Sequence, residues 1–436
     1  MAAQAGNPPP PDGGGRIDQA VIASLQTNHS ADYVLVFGEQ ADLSEAYQIS
    51  GWVERGQYVV DALKETAERS QKRALAELKK RGLRYRSFSI SNEIYVYDGD
   101  ASGLQAMLIF PEVAWVRAPV TVSLEPSGFQ LRLAGPAAPQ AQVQAFKAWG
   151  IIDTGADQFW STYLRKGEGI VVANIDTGVD ATHPALAASY RCAGGDLSDP
   201  ACWSDPTGAC KGTACDDHGH GTHTMGTMAA DVSNGSTVPY TVGMAPGAQW
   251  IACKACTKDG ICTDFDLLDC AEWILAPNGD SAERPHVVNN SWGDEKGGDS
   301  WFAAAVTAWC AAGIFPAFSA GNYSGCNTLS SPGDYQESFS SAAHDSLRTI
   351  ASFSSKGASL FGHDPYTKPN ISAPGVDILS TFPGGWGYMQ GTSMASPHSA
   401  GAVALLWSCA PLLIGQIDDT FELLQSSADP APEGSC

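Results

Sequence analysis

Residues 216–224 read DDHGHGTHT, placing histidines at 218, 220 and 223. Imidazole is the commonest metal-ligating side chain and also the one that titrates nearest neutral pH. The stretch therefore supports two chemistries. Histidines at i and i+2 of an extended segment can converge on one zinc ion, with His223 as a third ligand. Alternatively, one imidazole is a general base, which needs an orienting acceptor behind it and a nucleophile in front. Two further stretches hold such residues: NIDTGVDATHP carries Asp176 after an apolar run, and GTSMASPHSAG carries Ser393. Taken singly these are bland. An aspartate after a strand is a turn residue or helix cap, GTSMAS reads as a cap, and Asn322 in SAGNYSG reads as a turn.

Taken together, the three segments resemble the subtilisin-like serine peptidases, whose triad runs Asp, His, Ser in chain order, as at 176, 220 and 393 here. The similarity covers roughly residues 146–427. It implies that His220 is the base, that Asp176 orients it, that Ser393 is the nucleophile, and that Asn322 and the Ser393 N–H hold the oxyanion. His223 would then pack structurally and His218 would line the cleft near the leaving group, whereas a zinc site would leave Asp176 and Ser393 without a role. WSDPTGACKGTACDDHGHGTHTMGTM, VVNNSWG, AAGIFPAFSAGN and KPNISAPGVDILST look like the bacillopeptidase F branch of the family. The resemblance further implies that DGICT, with Gly260 and Ile261, and Ser291-Trp292-Gly293 are edges that pair with an extended substrate. Ser319, Ala320, Gly321 and Ser330 would border the specificity pocket; none is acidic, so no strict demand for Lys or Arg is expected. Trp292 is either an apolar wall of that pocket or a core residue. Ser393 opens an apolar helical run whose Pro397 is tolerable in a first turn.

The elements that must position these residues follow from periodicity. Residues 169–178, 245–256, 285–293 and 313–322 are apolar runs with polar or Gly-rich ends, separated by amphipathic stretches. Such alternation predicts an α/β fold with a mostly parallel sheet flanked by helices, the subtilisin-like fold implied by the resemblance, over 146–436. Active residues gather at the carboxyl ends of such strands. Ahead of it, 31–38 reads as a strand and 57–82 as a helix, with Val60, Leu63, Ala67, Ala74 and Leu78 on one face. YRSFSI and EIYVYDG read as strands around a Ser91-Asn92 turn, 101–109 as a helix and AWVRAPVTVSL as a last strand. This β-α-β-β-α-β order is that of a small ferredoxin-like α+β domain over 31–124. Residues 1–30 read as a disordered Pro/Gly-rich lead-in, and 125–145 as a linker holding the processing region. By resemblance the first domain is an inhibitory prosegment that the enzyme removes from itself. Its basic run from Lys64 to Arg86 could meet an acidic catalytic domain, or could be a solvated helix face.

The formal net charge of −22 argues against nucleic acid and anionic membranes as partners. Residues 1–146 carry 13 basic and 16 acidic side chains, a net −3, which leaves −19 for the rest. All twelve cysteines lie at or beyond 192, an even count that reads as disulfides, although Cys253 and Cys256 have the C-x-x-C spacing of redox and zinc motifs. The 44-residue spacing from Asp176 to His220 makes room for a loop carrying Cys192, Cys202, Cys210 and Cys215. No run of 18 apolar residues exists, and Ala3-Gln4-Ala5 matches a signal-cleavage form or occurs by chance. The expectation is a secreted, extracellular protein. No cofactor is required; a structural calcium ion is possible, although Ala185 in His183-Pro184-Ala185-Leu186 and the loop DVSNGSTVPYTVG depart from the family's ligand pattern. Asp216-Asp217 and Asp294-Glu295 read as solvated surface or as cation ligands. These features indicate a serine endopeptidase made as a zymogen and acting on proteins or peptides, with its own prosegment as inhibitor. The alternatives are a zinc hydrolase built on His218, His220 and His223, and a catalytically dead binding protein.

Overall fold

The structure, a computed structural model, describes residues 16–124, 132–133, 146–231, 240–359, 361 and 366–430. The N-terminal unit comprises α1 (Gln19–Asn28), β1 (Ala31–Phe37), α2 (Trp52–Arg81), β2 (Arg84–Phe88), β3 (Glu93–Gly99), α3 (Ala101–Leu108), β4 (Val113–Arg117) and β5 (Thr121–Ser123). Four strands pair antiparallel in the order β2-β3-β1-β4. β1 is apolar from Tyr33 to Phe37 because both its faces are covered there, while Asp32 near its start is exposed. Tyr33, Leu35 and Phe37 pack inward against Ala74 and Leu78 of α2 and Val21 of α1, while Val34 and Val36 join the core shared with the second unit. Two expectations are corrected here. Residues 19–28 form α1, capped by the Asp18 side chain and anchored by buried Val21, so the lead-in is ordered at least from residue 16. The segment 114–124 is not one strand: Pro119 offers no N–H for a ladder, and β5 leaves the sheet to pair elsewhere.

Within the expected linker lies β6 (Arg132–Leu133), and beyond it come β7 (Phe146–Lys147), α4 (Trp149–Asp153), α5 (Ala156–Tyr163), β8 (Val171–Asp176), β9 (Trp203–Ser204), α6 (His220–Ala229), β10 (Tyr240–Thr241), β11 (Gln249–Lys254), β12 (Ile261–Thr263) and α7 (Asp264–Leu275). There follow β13 (Val287–Asn290), α8 (Ala303–Ala312), β14 (Phe315–Ser319), β15 (Phe339–His344), β16 (Ile371–Pro374), β17 (Ile378–Phe382), β18 (Gly385–Met389), α9 (Thr392–Cys409) and α10 (Ile417–Ser427). A seven-stranded sheet in the order β16-β15-β14-β13-β8-β11-β9 is parallel at every pairing. The winding reverses at β8, which opens a crevice at its carboxyl end. Every residue of α6 is buried, as are most of α9, so these two helices run through the interior rather than over it.

The two units meet across the outer face of the N-terminal sheet. Phe265 at the start of α7 makes edge contacts with Phe88, Tyr95 and Tyr97. Beside them Arg117 bonds both Glu93 and Asp264 of α7, all three at most 4% exposed in their side chains. Burial pushes the Glu93 carboxyl up, Arg117 opposes this and the Asp264 charge adds to it. A carboxyl raised in the docked state contributes stability that is full below its ordinary value and is lost as pH rises through the docked value. In a Ser393→Ala chain, the urea midpoint for loss of the N-terminal unit should therefore fall as pH rises above the ordinary carboxylate range, and the fall should shrink in Glu93→Gln, which keeps the uncharged form. An equal fall in both proteins would exclude Glu93 as the titrating group.

Candidate active site

Asp176 closes β8 and His220 opens α6, so a strand's end and a helix's start face one another across the crevice. His220 Nδ1 lies 2.7 Å from Asp176 Oδ1, and both residues are buried. The carboxylate also accepts the Thr177 N–H at 2.7 Å and the Thr224 hydroxyl at 3.3 Å, which fixes its plane. The approach is close enough that a Cβ at Gly221 would stand 2.1 Å from the Gly178 carbonyl. Asp216 ties the two ends together: it accepts the Thr177 hydroxyl, the N–H groups of His218, Gly219 and Thr222, and the Thr222 hydroxyl. Lys254, fully buried, donates to the Thr177 carbonyl and to Asp217, both at 2.7 Å. The acidic pair is thus structural bracing rather than solvated surface. Asp294 is likewise drawn inward, accepting from Trp301 Nε1 at 3.1 Å with its carboxyl pushed up to about 7 by burial.

Ser393 is the second residue of α9 and is 5% exposed. Its hydroxyl donates to the Ser291 carbonyl at 3.2 Å, and the Ser291 hydroxyl donates to the Ser393 carbonyl at 2.9 Å. Pro397 is the sixth residue of the helix, beyond the first turn expected for it. Its missing N–H would have served the Ser393 carbonyl, and the Ser291 hydroxyl serves it instead. A polar chain through the sheet links the two helices: Thr224 and Asn174, Asn174 and Asn289, then Asn289 and Ser396, at 2.7–3.1 Å. Asn322 follows β14, and its carbonyl oxygen accepts from the N–H and hydroxyl of Thr392 at 2.9 and 3.0 Å. Its amide nitrogen is thereby turned so that it and the Ser393 N–H lie 3.5 and 3.6 Å from one point, the position of a Cβ on Gly391.

The cleft beside Ser393 is bounded by Ser291, Trp292, Gly293, Ser319, Gly321 and Ser330, and Ser123 and Leu124 enter it. β5 pairs antiparallel with β12, Ser123 opposite Ile261, and the Leu124 N–H donates to the Gly260 carbonyl at 2.9 Å. Ala320, between Ser319 and Gly321, is fully buried, and its carbonyl accepts the Ser330 N–H at 3.0 Å. The Trp292 backbone borders the cleft while its ring packs with Trp301, Phe302 and Phe318 in the core. His218 stands beside Gly260 and Leu124, on the β12 side of the cleft. The histidines do not form a zinc nest. His220 is engaged with Asp176, His223 bonds the Ile378 carbonyl at 2.9 Å and is pushed down to about 3 by burial, and no metal-holding group of three ligands exists among the described residues. Ala185 is buried and offers no carboxylate to calcium, and residues 232–239 of the second expected calcium loop lie outside the described ones.

Sequence reasoning missed Asn174, Thr177, Lys254, Asn289 and Thr392. A buried lysine and asparagines inside apolar strands were the available signals, because such groups enter a core only with partners. The cysteines pair as 192–202, 210–215, 253–270 and 256–262, so the C-x-x-C pair is not a bridge to itself. Cys326 is also disulfide-bonded, while Cys310 and Cys409 are free, a departure from a framework using every cysteine.

Comparison with known proteins places this geometry in context. The Subtilase family model matches residues 167–430, and the chain belongs to that family. Bacillopeptidase F of Bacillus subtilis (strain 168) is 37% identical over 408 residues, covering 86% of this chain and 27% of the relative. The chain therefore spans about a quarter of that relative's length. Thermophilic serine proteinase of Bacillus sp. (strain AK1) is 35% identical over 60% of this chain and 57% of its own. Subtilisin BL of Lederbergia lenta is 34% identical over 59% of this chain and 83% of its own.

The Cys256–Cys262 bridge closes the turn that carries β12, with Cys262 opposite Val122 of β5. Releasing so short a loop frees about 2 kcal/mol of chain entropy. Replacing both cysteines by serine should raise KM for extended peptides roughly fivefold to tenfold with kcat within about twofold, provided the edge strand is the binding element. Steady-state kinetics that show the loss in kcat alone would remove β12 from substrate binding.

Proposed function

We propose that this chain is a secreted serine endopeptidase made as a zymogen, with broad, mainly non-basic specificity. The observation that carries the reading is the 2.7 Å Asp176–His220 pair, with the helix that His220 opens packed against α9, whose second residue is Ser393. In the proposed reaction the Ser393 oxygen attacks a peptide carbonyl while His220 Nε2 takes its proton. Asp176 holds Nδ1–H and stabilises the imidazolium. The oxyanion is received by Asn322 Nδ2 and the Ser393 N–H, an arrangement in which loss of one donor lowers turnover by about 10²–10³-fold. His220 then returns the proton to the leaving amine as the C–N bond breaks. A water molecule, deprotonated by His220, releases the acyl group from Ser393. No resident cofactor takes part.

The N-terminal unit is read as the prosegment and intramolecular inhibitor. Support comes from β5, which lies along β12 as an added antiparallel strand and leads Leu124 into the cleft. The bond removed would then follow Leu124 and precede Lys147. Secretion is supported by the four described bridges, which need an oxidising compartment, and no described helix is long and apolar enough to cross a membrane.

Two measurements test this reading. Ser393→Ala should stay full length when made in a host lacking its own serine peptidases, while wild type yields a fragment whose N-terminus lies between residues 125 and 147. Clipping of Ser393→Ala in that window would assign the cut to another protease. Met394 is buried next to the nucleophile, so its sulfoxide would set a polar oxygen in a dry site. Peroxide should abolish peptidase activity of wild type and spare Met394→Ala; equal loss rates would point to another residue.

A further inference from the structure

The first turn of α2 reaches past the N-terminal sheet to the far end of α8. Arg55, 7% exposed, sends its guanidinium into a cup of three backbone carbonyls: Nη2 donates to Cys310 at 2.9 Å, Nη1 to Gly415 at 3.0 Å, and Nε to Ala311 at 2.5 Å. Cys310 and Ala311 lie in the last turn of α8, at the negative end of the helix dipole, and the Cys310 carbonyl also accepts the Gly313 N–H at 3.0 Å. Trp52, three residues earlier and so on the same helix face, stacks on His286 with centroids 4.7 Å apart and lies 3.8 Å from the Arg284 guanidinium. Arg284, 1% exposed, donates to the Ala312 carbonyl at 3.1 Å and to the Trp52 carbonyl. The fit is close: a Cβ at Gly56 would stand 2.2 Å from Arg284 Nη1.

We propose that the second unit carries an exosite at the carboxyl end of α8, which takes a helix-borne indole and guanidinium and holds the prosegment independently of the cleft. The inference rests on reading the N-terminal unit as a prosegment. Three carbonyls arranged around one planar cation match the fork of an arginine and not the point charge of a lysine. β5 and the cleft are one point of contact, the sheet face with Phe265 and Arg117 a second, and the Trp52–Arg55 turn lies apart from both. Such an anchor makes release of the strand reversible, because the tethered strand rebinds at high effective concentration. The occupant is the Trp52–Arg55 turn itself, in the uncut chain and in the cut fragment alike.

The test uses the full-length chain, allowed to cut itself. The resulting complex is diluted into a short chromogenic peptide, and the concentration at which half the activity appears is read. Arg55→Ala should raise that concentration roughly ten- to a hundredfold, as for a buried charged anchor, with Arg55→Lys recovering only part of it. Gly56→Ala is the control for folding: alanine favours the helix, yet its methyl group enters the space of Arg284, so it too should weaken the complex by severalfold. Values for both Arg55→Ala and Gly56→Ala within twofold of wild type would overturn the exosite and leave the zymogen reading standing. Full recovery by lysine would overturn its guanidinium selectivity. A wild-type fragment that never inhibits would overturn both readings.

Discussion

The 2.7 Å contact between His220 Nδ1 and Asp176 imposes the condition that the rest of the second unit meets. The partners lie 44 residues apart in sequence, one ending a central strand and the other beginning a buried helix. A parallel sheet brings such ends together only where its winding reverses, and β8 occupies that place. Backbone alone would leave the ends loosely opposed. Asp216, with five donors, and Lys254, bonded to the Thr177 carbonyl, convert them into one rigid corner. Burial favours the uncharged form of Asp216, and the hydrogen bonds from Thr222, Gly219 and His218 oppose that by serving the carboxylate. A half-satisfied network here would cost more than an apolar corner, which is why the bracing residues come as a set.

The same sheet explains how Ser393 is delivered. Because α9 runs through the interior, its first turn can be fixed from several sides, by Ser291, Asn289 and Asn322. Thr392 is the hinge of this arrangement: its N–H and hydroxyl hold one end of the Asn322 amide and so aim the other end at the same point as the Ser393 N–H. The fold itself thus aims the two donors at one point, and in the proposed reaction such preset donors are what lower a barrier.

The chemistry-bearing segments stood out because their motifs and chain order resemble those of the subtilisin-like peptidases, and the apolar runs were legible because a parallel sheet buries both faces of a strand. What was hidden is relational. Nothing in AWVRAPVTVSL announces that its two halves pair with different units, although Pro119 marks the break. The helix at 19–28 was obscured by the Pro/Gly-rich run before it, yet Asp18 as a cap and the Val21–Leu25 spacing were readable signs. Ala320 and Trp292 show the limit of carrying roles by position. Each lies in the expected segment, but Ala320 is fully buried just past the end of β14, and an aromatic cluster claims the Trp292 ring. Cysteine pairing could not be read at all, since neither the partners nor the two unpaired thiols are fixed by count.

Charge complementarity between a weakly charged first unit and an acidic second one suggested that the basic run of α2 would steer docking. The structure distributes those cations otherwise. Arg69 pairs with Glu39, Arg73 with Glu112, and Lys80 and Arg81 with Glu77, all within the N-terminal unit. Arg55, Arg86 and Arg117 reach across instead. Arg86 does so at a half-exposed surface beside Glu272, which itself accepts the Ser89 hydroxyl and the Ser89 and Ile90 N–H groups. Exposed pairs of that kind contribute little and fade with salt. Arg55 and Arg117 are dry, directional and fully partnered, and they stand at opposite ends of the contact, one at the carboxyl end of α8 and the other at the start of α7. Between them lies the apolar sheet face of Val34, Val36 and Tyr95. The interface is therefore a hydrophobic surface whose register is fixed by two buried guanidinium groups, and of the second unit's many carboxylates Asp264, Asp269 and Glu272 take part in it.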